Sequence, residues 1–365
     1  MLDNRNFLLY PLSLAYGIIT EIRNFMYNSG ILISREFDIP VICIGNITIG
    51  GTGKTPHTEY FTEILSKHFK VAVLSRGYKR KTADFRIITP SSTVSEAGDE
   101  PLQIAKKFPD LLVVVESNRI RGIDKILELR PDTEVVVMDD GFQHRSLKPG
   151  FSILLSDFGR PMQEDHLIPF GSLRERADNM QRADIILITK TPPNISAIDR
   201  RLIVSKTNKF SHQNLYFTAI KYLQPVPVFE NINDDFNPGW NSFSDNGAVL
   251  VTGIANPLPL VEHLKRIFST LEHLAFPDHH DFSENDIKNI SDTFQNLKTS
   301  NRYVITTEKD AMRLREFANI ASEIKSCSYY IPVGIEVLNE EKEELDKQII
   351  DYVRKNKRNN RLPHQ

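Results

Sequence analysis

Cysteine is nearly absent from the 365 residues: Cys43 and Cys327 stand far apart and match neither a metal spacing nor a disulfide framework, which fits a reducing compartment. An excess of either charge is also missing. Lys and Arg total 45 against 47 Asp and Glu, a net of −2, so no global basic field exists and binding along a nucleic-acid backbone is disfavoured. No apolar run reaches the ~20 residues that a membrane span requires, and no repeat appears. With 17 Gly, 20 Pro, 40% apolar and 25% charged residues, disordered, collagen-like and multi-span membrane chains are ruled out. What remains is a globular chain too long for one comfortable core, so two domains are expected.

One stretch is unusual. No residue between Arg5 and Glu21 is charged, and Phe7 to Ile19 reads FLLYPLSLAYGII. It lacks the basic n-region and small-residue cleavage site of a secretory signal. As a helix it aligns Leu8, Leu12, Ala15, Ile19, Ile22 and Met26 in one stripe, widened by Leu9 and Tyr16. By pattern alone a helix packed on the core is favoured, and a helix lying in a membrane interface is the other reading.

Beyond it, short β-branched runs alternate with amphipathic stretches. Strands are expected at Val41–Gly45, Val71–Leu74, Phe85–Ile88, Leu112–Val115, Val135–Met138, Ser152–Leu155 and Ile185–Ile188, with helices at Thr55–Phe69, Pro101–Phe108 and Ile120–Leu129. Such continuous runs predict a mostly parallel sheet with helices on both faces. Pro225, Pro227 and Pro238 mark a connection, after which the alternation resumes with AVLVTG, Tyr303–Thr306, Tyr329–Val333 and a final helix at Glu340–Arg354. Ser283 and Asp286 are spaced as a capping box. The division read from the sequence is an N-terminal helix (1–35), a first domain (36–225), a linker (226–245), a smaller C-terminal α/β domain (246–354) and a basic tail (355–365).

The strongest chemical signal is Gly50-Gly51-Thr52-Gly53-Lys54-Thr55, set between the VICIG strand and a helix. Glycines let backbone N–H groups converge on phosphate oxygens, and the helix start adds its dipole. Thr48, Ile49, Gly50, Gly51, Thr52, Gly53, Lys54 and Thr55 are therefore read as an ATP cradle. Lys54 reaches the β- and γ-phosphates and the Thr55 hydroxyl ligates Mg²⁺. Thr48 stands where the strict Walker pattern has glycine, and Ile49 replaces the signature lysine of ParA- and MinD-like ATPases, which disfavours that subclass. The Walker-B partner is the strand Val135–Met138 with Asp139 and Asp140, either of which holds the metal directly or through water. Asp99 opens a helix and by itself reads equally as an N-cap.

Taken together, these motifs carry a family resemblance. Gly45 to Pro56, Leu74-Ser75-Arg76-Gly77-Tyr78, Gly98-Asp99-Glu100-Pro101, Asp139-Asp140-Gly141-Phe142-Gln143-His144, Gly171 to Glu175, Phe276-Pro277-Asp278-His279 and Thr307-Glu308-Lys309-Asp310 occur in one order. In this the chain resembles the tetraacyldisaccharide 4′-kinases (lipid A 4′-kinases). Thr48 is that family's own variant, whereas Lys79-Arg80-Lys81 stand where it more often has glycines.

The resemblance implies a P-loop NTPase-type fold with a smaller C-terminal α/β domain. It implies transfer of the ATP γ-phosphate to the 4′-hydroxyl of a tetraacyl glucosamine disaccharide 1-phosphate, giving lipid IVA. Asp99 becomes the catalytic carboxylate and His279 its partner, with domain closure expected from their placement in different domains. Lys54 is the third catalytic residue, and Glu100 joins Thr55, Asp139 and Asp140 near the metal. Arg76, Tyr78, Arg119, Arg121, Gln143, His144 and Glu175 are candidate substrate contacts. Arg76, Lys79, Arg80 and Lys81 form a basic cluster suited to the 1-phosphate, and Thr307–Asp310 a possible nucleotide contact. Beside a lipid acceptor, the N-terminal stripe reads as a membrane-interface helix at the cytoplasmic face of the inner membrane, with no obligate protein partner expected. The alternative is a P-loop kinase or ligase for a small soluble substrate.

Overall fold

The computed structural model describes residues 7–78, 80–229, 245–317 and 319–359. Runs of Val, Ile and Leu between turn residues form the strands of the first unit: β1 Val41–Gly45, β2 Val71–Ser75, β3 Arg86–Ile88, β4 Leu112–Val115, β5 Val135–Asp139, β6 Phe151–Asp157, β7 Ile185–Thr189 and β8 Asn214–Tyr222. Those of the second unit are β9 Val226–Pro227, β10 Asn246–Thr252, β11 Thr270–Ala275, β12 Asn301–Thr307 and β13 Ser328–Ile331. β14, Val333–Val337, follows.

Every residue of β1, β2, β5 and β7 is buried, which requires cover on both faces of the sheet. Among the described residues the first sheet has the order β14-β8-β7-β6-β1-β5-β2-β4-β3. From β8 to β4 the neighbours pair in parallel, and β3 runs antiparallel to β4. Val41 and Cys43 of β1 share an apolar layer with Ile123 and Ile126 of the Arg119–Leu129 helix. The chain leaves β1 toward β2 on one side, whereas β6 lies on the other. The strand order therefore reverses at β1, and the crevice beyond its carboxyl end is where such sheets bind ligands.

The chain divides into two compact units, residues 1–221 with 335–365, and residues 222–334. This corrects the expected second domain at 246–354. Pro332 splits the run read as one strand, so that β13 stays in the second sheet and β14 joins the first beside β8. The Lys342–Asn359 helix then packs on the first unit, burying Leu345, Ile349 and Val353 completely. Its Tyr352 ring lies 4.9 Å from that of Phe151, and Tyr60 donates to Asp346 at 2.6 Å. Helical spacing reveals an apolar face but not which surface covers it. The expected linker begins with β9, and residues 230–244 lie outside the described residues, as do 360–365 of the expected tail. The second sheet has the order β11-β10-β12-β13-β9, with Leu250, Leu264, Phe268 and Ile305 in its core. The capping box forms as read, with the Ser283 hydroxyl accepting from the Asp286 N–H.

The N-terminal helix, Tyr10–Asn28, is inverted relative to an ordinary surface helix. Its buried residues are Ser13, Gly17 and Asn24. The Ser13 hydroxyl donates to the Leu167 carbonyl at 2.9 Å and accepts from the Phe170 N–H at 2.8 Å, and the Tyr16 hydroxyl donates to the Arg174 carbonyl at 2.7 Å. A Cβ on Gly17 would stand 2.7 Å from the Leu167 Cδ1, so any larger residue there obliges the Leu167 side chain to move. Leu8, Leu12, Ile18, Ile19, Ile22 and Phe25 point away, with Ile19 67% and Ile22 56% exposed. The stripe read from the sequence thus forms, but it does not pack on the core. No helix among the described residues is long and apolar enough to cross a membrane.

Candidate active site

The phosphate cradle follows β1 directly. Gly50 and Gly53 adopt left-handed φ angles of 100° and 85°, which turn successive peptides into a concave loop, and Gly53 is the N-cap of the Lys54–Ser66 helix. Asn46 ties the loop together from beneath: its amide donates to the hydroxyls of Thr48 (3.3 Å) and Thr52 (2.9 Å). Its carbonyl oxygen accepts from the Lys54 ammonium at 3.5 Å. His57, one helical turn on, lies fully buried between the Gly53 carbonyl (2.7 Å) and the Thr218 hydroxyl (2.9 Å). Burial holds its pKa down at about 4, so it is a neutral strut.

The two carboxylates at the end of β5 are not equivalent. Asp139 is fully buried and accepts from the Thr58 hydroxyl at 3.0 Å and the Ser75 hydroxyl at 3.2 Å, one bond to each oxygen. Burial first, then Glu100 and Asp140, push its pKa up to about 6. Asp140 has φ 49° and turns toward the cradle: its Oδ1 lies 3.7 Å from the Lys54 ammonium and 3.5 Å from the Arg174 guanidinium. That buried oxygen has no hydrogen-bond partner. The unsatisfied oxygen of Asp140 and the carboxylate of Asp139 are hard oxygen donors of the kind that Mg²⁺ takes, completed by water and phosphate. No group of three His, Cys, Asp or Glu able to hold a metal occurs among the described residues, so the donors do not form an all-protein cage.

Asp99 begins the Asp99–Lys107 helix and is 4% exposed. It follows Gly98 at φ 82°, where a Cβ would stand 2.8 Å from the Tyr78 carbonyl, so the strand end at Arg76–Tyr78 and the Asp99 helix start press together. Beside the cradle opens a cavity of about 450 Å³. Arg23 and Tyr16 of the N-terminal helix line it, with Ile49, Asp140, Arg76 and Arg174 among the facing residues; Gln143, His144 and Glu175 line it too. Gln143 is held by donation to the Asn46 carbonyl at 2.5 Å and acceptance from Arg174 at 3.2 Å. Burial, with Arg119 and Arg76, drops the His144 pKa to about 4, so its imidazole is neutral. Glu175 accepts from Arg182 at 2.6 Å and from Asn24 at 3.3 Å.

Other sequence candidates fall elsewhere. Arg119 is 2% exposed and donates to the backbone carbonyls of Glu116 (2.5 Å) and Asp139 (3.3 Å), so it braces the acidic pair from below and does not line the cavity. Arg121 pairs with Glu116 at 3.3 Å, outside the lining. Arg80 of the expected basic cluster donates to the carbonyls of Asp84 and Ala83, bracing its own loop; Lys79 lies outside the described residues. Tyr78 is exposed and does not line the cavity. Asp310 is buried and accepts from the Gly253 N–H (2.9 Å) and the Thr307 hydroxyl (2.6 Å), a local brace within the second unit. His279 belongs to that unit, at φ 56°, with its Nδ1 3.4 Å from the Arg313 guanidinium. Asn46, Thr58, Ser75, Arg23 and Arg174 carried no role in the sequence motifs. Asn46, Ser75 and Arg174 lie within those motifs, but the contacts of Ser75 with Asp139 and of Arg174 with Asp140 arise only on folding.

A glycine cradle on the switch-point strand, a lysine at the start of the following helix and an acidic pair ending the neighbouring strand define a P-loop phosphotransferase. A family model described as tetraacyldisaccharide-1-P 4'-kinase matches residues 5–354. The chain is 43% identical over 357 residues to the tetraacyldisaccharide 4'-kinase of Bacteroides thetaiotaomicron, covering 96% of this chain and 94% of that one. It is 38% identical over 349 residues to that of Flavobacterium johnsoniae, covering 96% and 97%. The structure of LpxK from Aquifex aeolicus in complex with ATP superposes with a TM-score of 0.71 at 27% identity, covering 94% of this chain and 98% of that one. The chain belongs to the tetraacyldisaccharide-1-P 4'-kinase family, an ATP-dependent kinase of lipid A biosynthesis with an alcohol acceptor. The alternative of a small soluble acceptor falls with that membership.

Proposed function

We propose that the chain transfers the γ-phosphate of ATP to the 4′-hydroxyl of a tetraacyl glucosamine disaccharide 1-phosphate, working at a membrane surface and forming lipid IVA. The observation that carries the acceptor side is the shared wall of the cavity. Its lining includes Asp140 and Ile49 of the phosphate machinery together with Tyr16, Arg23 and Asn24 of a helix whose other face is apolar and exposed. A polar, anionic headgroup suits the arginines of the cavity, while acyl chains follow the exposed leucines and isoleucines into lipid. Since ATP is cytoplasmic, the cytoplasmic face of the inner membrane is the surface that this arrangement suits.

Asp99 is assigned the acceptor carboxylate. A sugar hydroxyl is a very weak acid, and a loose transition state requires no proton removal before attack, so Asp99 aligns the oxygen and takes the proton late. His279, carried by the second unit, is assigned the dispersal of that proton. Lys54 balances charge on the transferring group and Gly50–Gly53 orient the phosphates. Mg²⁺ would be held by Thr55, Asp140 and, through water, Asp139, with Glu100 nearby; when bound it neutralises phosphate charge.

The test is incubation with ATP, Mg²⁺ and tetraacyldisaccharide 1-phosphate in mixed micelles, read by mass spectrometry. A bis-phosphorylated product carrying the new phosphate at the 4′ position is expected. Its absence, or phosphate elsewhere on the disaccharide, overturns the reading.

A further inference from the structure

Three carbonyls of the cradle are tied down by side chains from one place, the carboxyl ends of β6 and β7. The Arg160 guanidinium donates to the Ile49 carbonyl at 2.9 Å. The Lys190 ammonium donates to the Gly51 carbonyl and is paired with Asp157 at 2.7 Å. The Thr189 hydroxyl donates to the Thr52 carbonyl at 2.9 Å. These anchors are themselves fixed. Asp157 and Thr189 are register partners in the parallel pair β6–β7, and the other Asp157 oxygen accepts from the Gly159 N–H at 2.9 Å. Lys190 is held at φ 55°, a left-handed conformation that an unbranched side chain adopts only where the surroundings impose it.

A trans peptide is planar, with its C=O and the following N–H pointing in opposite directions. Anchoring the carbonyls of Ile49, Gly51 and Thr52 on one side therefore turns the N–H groups of Gly50, Thr52 and Gly53 to the other. Without the anchors, peptides flanking Gly50, Gly51 and Gly53 are free to flip and present carbonyl oxygens to phosphate, a repulsive arrangement. We propose that Arg160, Thr189 and the Asp157–Lys190 pair form a carbonyl clamp that pre-sets the cradle's N–H groups for the nucleotide. They are positioning residues, acting through the backbone and not as phosphate ligands. The inference rests on the cradle binding ATP.

Lys190→Ala and Arg160→Ala test it, with Lys190→Arg as the conservative variant. Losing one charge-assisted anchor is expected to weaken ATP and ADP binding alike, each on the order of tenfold, since both diphosphate portions use the same N–H groups. AMP binding and the KM for the lipid acceptor are expected to stay within about twofold, and Lys190→Arg to recover most of the loss. Arg160 is only half-buried, so its variant stays measurable should Lys190→Ala fold poorly. Unchanged ATP and ADP affinity in Arg160→Ala and Lys190→Ala overturns the clamp. A loss confined to ATP makes Lys190 a γ-phosphate ligand and also overturns it. Lys54→Ala is the control: if it retains normal turnover, the cradle reading itself fails, independently of the clamp.

Discussion

The Lys54 ammonium stands 3.7 Å from an Asp140 oxygen that accepts no hydrogen bond, with both side chains mostly shielded from water. The lysine and the carboxylate balance one another. Phosphate and a cation each offer one of them a stronger partner. Lys54→Ala is expected to lower kcat by two or more orders of magnitude, because the lost charge acts on the transferring group. A near-normal rate in steady-state assays would contradict the assignment of this lysine.

Asp99→Ala is expected to reduce kcat by a similar order while ATP binding, followed by calorimetry, changes little. A carboxylate acting on the acceptor hydroxyl leaves the nucleotide's own contacts intact. A parallel collapse in ATP affinity would move Asp99 to the metal or nucleotide side.

The pKa of Asp139, raised to about 6 by burial and by Glu100 and Asp140, has two consequences of opposite sign. Activity that requires the carboxylate ionised is expected to fall as pH drops through about 6, giving an acidic limb in kcat/KM. Stability runs the other way. Because the folded state binds the proton more tightly than the unfolded one, the ligand-free protein gains stability as pH falls from about 6 toward 4. Asp139→Asn is therefore expected to abolish turnover yet raise the melting temperature at pH 8, measured without nucleotide. A lower melting temperature in that variant would refute the electrostatic account.

Arg119→Met removes the donor from two backbone carbonyls beneath the acidic pair. Losing two charge-assisted bonds at a buried position is expected to cost about 2–4 kcal/mol, visible in urea denaturation. Lys at this position, with a single ammonium and no fork, is expected to recover only part of the loss. Full stability of the Met variant would show that water serves both carbonyls.

The N-terminal helix offers a test with two faces. Ile19→Glu combined with Ile22→Glu changes exposed positions and is expected to leave the melting temperature unchanged while lowering sedimentation with anionic vesicles by more than tenfold. Gly17→Leu, aimed at the 2.7 Å approach to Leu167, is expected to destabilise by about 1–3 kcal/mol. Equal vesicle binding by the double variant and the native chain would discard the interfacial role.

The chemistry of the nucleotide side was legible residue by residue. The glycines, Lys54 and Thr55 are contiguous in the chain, and local geometry obliges a strand–loop–helix to present them together, while the Asp139–Asp140 pair shows as the acidic end of its own apolar run. Most strands were legible for the same reason, because a sheet buried on both faces demands unbroken apolar runs. Tertiary structure decided the rest. It placed Arg119 under Asp139, where the resemblance had implied a candidate substrate contact, and it carried β14 and the last helix back to the first sheet across Pro332. It also settled the uncharged stretch between Arg5 and Glu21. An apolar stripe states only that water is unfavourable to it, and not what replaces the water. Here Ser13, Gly17 and Asn24 face the protein and the leucines and isoleucines face outward, a choice set by hydrogen bonds to Leu167, Phe170 and Glu175 more than 140 residues away.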